Sequence, residues 1–502
     1  MINDKKLHLL LINPGGRKRA YQSLGSTLAA IEPPIWAGLL ATLIRRHGFS
    51  VAILDANAEN LSPEESAKAI VAMDPLLSAM VVYGHNPSAS TQTMAAASAI
   101  CTRLKMEAPE LVTLLVGGHV AALPERTLRE ENATFVASGE GPYTLLDLLQ
   151  TLRTGSSDYS TVRGLWYRDA AVLRSNSPAP LVLNLDTEMS GVAWDLLPMD
   201  KYRAHNWHCF GGLSRQPYAA LYTTLGCPFH CHFCCIQAPF RDGEKVLGYN
   251  AGVSSYRYWS PKTTIAQIDF LVNKYGVTNI KIADEIFALN ARHVTEICDL
   301  IITRGYNLNI WAYARVDTLK EAVLGKMKRA GFNWLGLGIE SASTWVRGDA
   351  NKGYRQEHIF KAIEKMRAEN IHVGGNYIFG LPEDDLESME ETLDLALEIN
   401  SEWANFYCAM AYPGSHLYEL ALKEGWALPE TWSGYSQYAV DTLPLPTRYL
   451  SAGEVLRFRD RAFQGYFSSS RYLDMMRQKF GEDTVRHIKE MTSHKLERKF
   501  IP

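Results

Sequence analysis

The sequence predicts an α/β protein in three parts: an N-terminal doubly wound parallel-sheet (Rossmann-like) domain, a partial (β/α)6 TIM-type barrel, and a small helical C-terminal appendage. Three observations predict it. Over residues 1–150 short apolar runs alternate with helical patterns. A second series of the same kind begins at Ala219. Past Gly425 the chain turns aromatic and charged. A chain of 502 residues also exceeds one compact core, and roughly two to four domains are expected.

The first series opens with a strand at Leu9–Asn13. Pro34–His47 carries apolar residues at helical spacing and closes with Gly48. Strands follow at Ser50–Ala56, Ser78–Gly84, Val112–Gly118 and Ala133–Gly141, with a helix near Ser90–Met106. The strands are continuous apolar runs and do not alternate, the mark of a parallel sheet covered on both faces. Ligands of such sheets sit at the carboxyl ends of the strands. Those ends read NPGG, DAN, GHNPSAS, GGH and SGEG. Glycine lets a ligand approach the backbone closely, and Asn and Ser offer hydrogen bonds. The candidate contacts are Asn13, Gly84, Asn86, Ser88, Ser90, Gly117, Gly118, His119, Gly139, Glu140 and Gly141. Ordinary βα turns are the competing reading of each.

Residues 151–210 read as a connector holding one hairpin, GLWYRDAAVLRS (Gly164–Ser175). The barrel is expected over 211–424, with strands at Ala219–Leu225, Thr278–Ala283, Leu308–Ala314, Trp334–Glu340, His372–Phe379 and Ala404–Met410. Right-handed crossovers through helices such as Thr263–Lys274 and Gln356–Glu369 would close them into a partial barrel. Over 425–502, SAGEVLRFRDRAFQGYF shows helical periodicity behind a Ser cap.

The N-terminal apolar run, Leu7–Ile12, suits a buried strand and is too short for a signal peptide. No window approaches the roughly 20 apolar residues of a membrane span. A cytoplasmic protein with no membrane span is therefore expected. A formal net charge of −3 with no basic motif argues against a nucleic-acid partner.

Chemistry concentrates in LGCPFHCHFCCIQ, which holds four of the eight cysteines and directly follows the first barrel strand. Cys101, Cys209, Cys298 and Cys408 are scattered and read as core residues. Cys227, Cys231 and Cys234, spaced Cys-x3-Cys-x2-Cys, can bind three irons of a four-iron, four-sulfur cluster and leave the fourth iron open. A zinc site is the alternative, with His230, His232 or Cys235 as fourth ligand, although no second CxxC pair exists.

This spacing on the loop after the first barrel strand, with Phe233 before the last cysteine, resembles the radical S-adenosylmethionine superfamily. The resemblance implies a [4Fe–4S] cluster whose open iron is chelated by S-adenosylmethionine, reductive cleavage to a 5′-deoxyadenosyl radical, and hydrogen abstraction from substrate. It also implies an electron donor such as flavodoxin or ferredoxin. In IADEIFALN, Asp284 and Glu285 are then placed near the methionyl ammonium; Arg315 of WAYARVD near the methionyl carboxylate; Glu340 and Ser341 of GLGIESAS near methionyl or ribose groups; and Phe233 near the adenine. Family proteins show turns similar to GLPED and AYPGS here.

The N-terminal sheet, GGH followed by LPE, ASGEGPYTLLDLL, and the C-terminal LPLPTRYLSAGEVLRFRDRAF resemble the cobalamin-binding branch of that superfamily. Cobalamin would lie on the N-terminal rim. LDANAENLS departs from the Asp-x-His-x-x-Gly pattern, so no histidine lower ligand is expected. The implied activity is methyl transfer from methylcobalamin to a carbon or phosphorus of a small-molecule substrate. A non-methylating radical enzyme and a non-catalytic cobalamin or metal sensor are the alternatives. Methylthiotransferases carry three further N-terminal cysteines, whereas this domain has Cys101 alone. Tyr412, Trp207, His208 and Trp311 are candidates for the substrate pocket.

Overall fold

The computed structural model describes residues 6–16, 22, 24, 28–170 and 172–501. Strands β1 (Leu9–Asn13), β2 (Val51–Asp55), β3 (Leu77–Val82), β4 (Thr113–Gly117) and β5 (Phe135–Ala137) run parallel in the order β2-β1-β3-β4-β5. Successive side chains serve two cores. Leu9, Leu11, Leu77, Ala79 and Val81 face one, while Leu10, Ile12, Met80 and Val82 face the other. This is why the strands read as unbroken apolar runs. The strand order reverses between β1 and β3, the point where open α/β sheets leave a ligand crevice.

Helices Ile35–Arg46, Pro63–Met73, Ala89–Glu107 and Pro142–Arg153 cover the sheet. Pro63–Met73 starts on a capping box between Ser62 and Glu65, a signal present in the sequence as SPEE.

Two elements differ from expectation. The hairpin assigned to a connector is the antiparallel edge of the first sheet: β6 (Leu165–Asp169) pairs with β5, and β7 (Val172–Ser175) pairs with β6. Leu165 is buried in one of the sheet's cores and Trp166 packs against the other, which holds the hairpin there. The first barrel strand also stops early. β8 covers Tyr218–Leu221, and β9 (Thr224–Gly226) leaves the barrel to pair antiparallel with β10 (Tyr256–Tyr258). The cause is Asp284, whose carboxylate accepts from the Thr223 amide (2.6 Å), the Thr223 hydroxyl (2.5 Å) and the Thr224 amide (3.1 Å). Those groups are thereby turned away from the barrel's hydrogen-bond ladder.

The barrel sheet holds β8, β11 (Asn279–Ile282), β12 (Asn309–Arg315), β13 (Phe332–Glu340), β14 (His372–Phe379) and β15 (Trp403–Cys408), all parallel, in the order β15-β14-β13-β12-β11-β8. Trp207 enters its interior, with ring centroids 5.0 Å from Trp311, 5.3 Å from Trp334 and 6.1 Å from Trp403. Helices Ala452–Phe467, Ser470–Phe480 and Glu482–Ser493 pack outside the barrel. The first has the expected cap, Ser451, in a capping box with Glu454. The C-terminal region is not helical throughout: the turn Trp432–Tyr435 reaches back to helix Ala89–Glu107 of the first sheet. Among the described residues no helix is long and apolar enough to cross a membrane.

Candidate active site

The carboxyl ends of the two sheets face one another across a cavity of about 930 Å³. On the barrel side it is lined by Cys227, Cys231, Cys234, Phe233, Glu285, Arg315, Glu340 and Lys352. On the N-terminal side it is lined by Asn13–Gly16, Asn57 and Tyr83–Ala89.

The cysteine loop is mounted rigidly. Gly226 takes φ +90°, and a Cβ there would lie 2.2 Å from the Ser255 carbonyl oxygen, so only glycine permits this approach. The His230 ring bonds to the Gly252 carbonyl (3.0 Å), and the His232 ring packs on His416 at 4.3 Å. Neither histidine converges on the thiols. Cys235 lines the cavity too, but packs with Cys408, Met410 and Tyr412. Among the described residues no three His, Cys, Asp or Glu side chains gather as a single metal ion requires. A multi-iron cluster asks for something else, since each thiolate holds its own iron. Burial pushes the Cys227 thiol up to about 12 and the Cys234 thiol well above its usual range. Such thiols ionise only against positive charge, which cluster iron supplies. The donor set therefore fits the cluster.

Around the loop the barrel places paired charges. Arg315 forks onto Asp317 (2.8 and 3.0 Å), stacks over Phe229 at 4.1 Å, and points Nη1 at Cys231 Sγ, 3.6 Å away. Glu340 pairs with Lys352, both buried. Glu340 has φ +64° at a register shift in β13, a conformation that costs a non-glycine residue about 1–2 kcal/mol. Glu285 turns into the cavity, and burial pushes its carboxyl up to about 8.

Two barrel candidates do not reach the cavity. Asp284 is fully buried, its oxygens engaged by Thr223 and Thr224. Ser341 is buried against Thr392, 3.2 Å away. Glu285 and Glu340, their sequence neighbours, face inward instead.

On the N-terminal rim Asn13, Gly84, Asn86 and Ser88 line the cavity. The other seven candidates do not. Ser90 accepts from the His119 amide (2.8 Å) and donates to the Val82 carbonyl. A Cβ on Gly117 would lie 1.9 Å from that carbonyl oxygen. Ser90 and Gly118 reach only a side pocket of about 40 Å³. His119 is covered by Trp432, ring centroids 4.4 Å apart. Glu140 accepts from the guanidinium of Arg257 in β10 (2.7 and 3.2 Å), tying the first sheet's rim to the β9–β10 ribbon, and its neighbours Gly139 and Gly141 lie outside the cavity. The reason is topological: only the β1 and β3 ends flank the switch point. The β4 and β5 ends are used for packing.

The rim fits cobalamin. A second cavity of about 480 Å³ shares Gly15, Gly16, Asn57 and Gln92 with the first and is edged by Ala95, Ala96 and Ala99, leaving room beyond a ring system. His85 turns Nε2 to the Pro33 carbonyl (2.6 Å) and Nδ1 toward the Glu32 carboxylate (3.2 Å), so both ring nitrogens face protein oxygens.

Sequence reading missed Glu32, Lys281 and Lys352. Glu32 and Lys281 meet at 2.8 Å across the cavity, with the ammonium over the Trp311 ring at 4.9 Å. Lys281 carried a readable signal, a lysine inside the apolar strand NIKIA. Of the substrate-pocket candidates, Trp207, Trp311 and Tyr412 line the cavity, whereas His208 is buried elsewhere.

Comparison with known proteins agrees with this geometry. Residues 221–396 match the Radical SAM superfamily, and residues 21–149 match the B12 binding domain. The chain is 28% identical over 464 residues to an uncharacterized methyltransferase of Pyrococcus horikoshii, covering 92% of this chain and 93% of that one. It is 25% identical over 421 residues to the anaerobic magnesium-protoporphyrin IX monomethyl ester cyclase of Rubrivivax gelatinosus, covering 82% and 70%. Its fold resembles the cobalamin-dependent S-adenosylmethionine radical enzyme OxsB, with a TM-score of 0.70 at 15% identity over 97% of this chain and 71% of that one. The cysteine loop lies inside the first matched region and the β1–β3 rim inside or beside the second. The chain thus belongs to the B12-binding radical S-adenosylmethionine enzymes, whose cofactors are a [4Fe–4S] cluster, S-adenosylmethionine and cobalamin.

Proposed function

We propose that the protein is a methyltransferase that places a methyl group from methylcobalamin on a carbon, or a phosphorus, of a small molecule held in the cavity. One observation carries this reading: the cysteine loop and the β1–β3 rim line the same cavity. When bound, the cofactors supply a hydrogen-abstracting radical and a methyl donor.

The chain's own residues hold and orient. Cys227, Cys231 and Cys234 ligate the cluster. Arg315 would hold the methionyl carboxylate, Glu340 and Glu285 the methionyl ammonium, and Phe233 would pack by the adenine. Charge-assisted hydrogen bonds suit such a zwitterion. Asn13, Gly84, Asn86 and Ser88 would hold the corrin through neutral hydrogen bonds and close backbone approach. Trp207 and Trp311 form an apolar wall that keeps water from the reacting carbon. Electrons arrive from a flavodoxin or ferredoxin.

The experiment is anaerobic turnover of the reconstituted enzyme against candidate small molecules, read by product mass. Methyl transfer adds one CH2 unit and yields 5′-deoxyadenosine. The resemblance to the Rubrivivax cyclase favours one competing reading, oxidative ring closure, and a product lighter by hydrogen with no added carbon would establish it instead. The match of nearly whole length to whole length with the Pyrococcus methyltransferase weighs toward methylation.

A further inference from the structure

We propose that the C-terminal wall of the cavity is an oxyanion site and that the substrate carries a carboxylate or phosphate. This rests on the reading that the cavity holds the substrate. The wall is formed by helix Ala452–Phe467, which lines the cavity with Arg459, Asp460 and Phe463.

The charges there do not balance. Arg459 donates Nη1 to Asp460 (2.8 Å), and Arg498 forks onto the same carboxylate (2.9 and 2.9 Å). Both guanidiniums are only 4% exposed, while Asp460 is 29% exposed. Two buried cations thus share one carboxylate among the described residues, leaving a net charge of +1. Buried charges are normally paired, because an uncompensated one loses its hydration without return. Arg498 is otherwise satisfied by the Gln437 and Ala439 carbonyls and the Thr442 hydroxyl, and it does not line the cavity. Arg459 does. Its Nε bonds to the Phe406 carbonyl (2.8 Å), anchoring it to β15, and its other neighbours are the rings of Tyr438 and Phe463. Its counter-charge among the described residues is therefore the one Asp460 carboxylate that it shares with Arg498. Lys495, exposed on the same wall, adds to the positive field. The guanidinium fork matches planar or tetrahedral oxyanions.

Cobalamin also has a phosphodiester, so the test is made on holoenzyme already loaded with cluster and cobalamin, with inorganic phosphate as probe and calorimetry as readout. Wild type is expected to bind phosphate saturably. Arg459→Gln should weaken that binding by about tenfold or more, Arg459→Lys by less, and Asp460→Asn should strengthen it. The last sign is opposite to that of a variant that merely loosens the fold, and it keeps the test intact if Arg459→Gln misfolds. Absence of saturable binding in wild type, or equal affinity in all variants, overturns the proposal. So does a loss of cobalamin retention in Arg459→Gln, which would assign the site to the cofactor's phosphodiester. The readout needs no turnover, so it stands or falls separately from methyl transfer.

Discussion

The two rims that face each other across the cavity are built in opposite styles. Among the described residues the N-terminal rim is mostly neutral: Asn13, Gly15, Gly16, Asn57, Gly84, Asn86 and Ser88. Its one carboxylate, Glu32, is already paired with Lys281 and His85. The barrel rim carries ion pairs, Arg315 on Asp317 and the buried Glu340 on Lys352. A rim of amides and bare backbone suits a large ring edged with amides, where close approach and many neutral hydrogen bonds matter. A rim of fixed charges suits a small zwitterion, where two or three charge-assisted contacts decide position.

The comparison is broken most completely by Cys231→Ala. Cluster absorption and reductive cleavage of S-adenosylmethionine are expected to vanish, while cobalamin binding, followed by its own visible spectrum, persists. If both disappear together, the rims are not independent.

Lys352→Met comes next. It leaves Glu340 buried and unpaired, a change of about 3–5 kcal/mol visible as a fall in Tm and in S-adenosylmethionine affinity. Adding Glu340→Gln should restore Tm but not affinity, separating the pair's structural weight from its contact with ligand.

Acid offers a third contrast. In the barrel, burial would raise Glu402, but the His372 and Lys479 contacts prevail and hold it down at about 2. A depressed carboxyl stabilises the fold above its unfolded value near 4.5, and that contribution fades as pH falls toward 2. It amounts to roughly 3 kcal/mol. In the N-terminal sheet, burial raises Asp55 instead, so its ionised form weakens the fold, and that penalty is relieved as pH falls through its folded value. Hydrogen exchange on acidification should show barrel amides losing protection before those of the first sheet, and Glu402→Gln should narrow the gap.

Gly84→Ala should act on the other rim. Its Cβ would lie 2.2 Å from that of Ala89, and overpacking of about 1–3 kcal/mol is expected to weaken cobalamin binding by about tenfold with cluster assembly intact. Cys235→Ala is expected to have the smallest effect, since its thiol packs with Cys408 and Met410. Four irons should remain per chain on metal analysis.

Much of this was legible in the sequence wherever a feature is local. β1 and β14 match their expected limits residue for residue, because β1 is a continuous apolar run and a glycine turn closes each of them. The three cysteines carry their own spacing. What escaped depends on contacts distant in sequence. Nothing in IADEIF states which of two adjacent carboxylates turns inward; the Thr223 hydroxyl 61 residues away decides that Asp284 holds the loop. The glycine-rich ends of β4 and β5 look like those of β1 and β3, and only strand order and the covering Trp432 distinguish them. The Glu32–Lys281 pair spans 249 residues.

Glu340 has a consequence for how this enzyme would respond to selection. Its left-handed backbone and its buried ion pair are both features that a more stable protein would discard. Glu340→Gly would relieve the torsion, and Lys352→Met beside it would remove the buried charge left without its partner, the kind of local change that selection for stability favours. Directed evolution for heat tolerance alone should therefore drift toward that double change and lose its cofactor as it does. The position would reveal itself as one where robustness and activity are opposed.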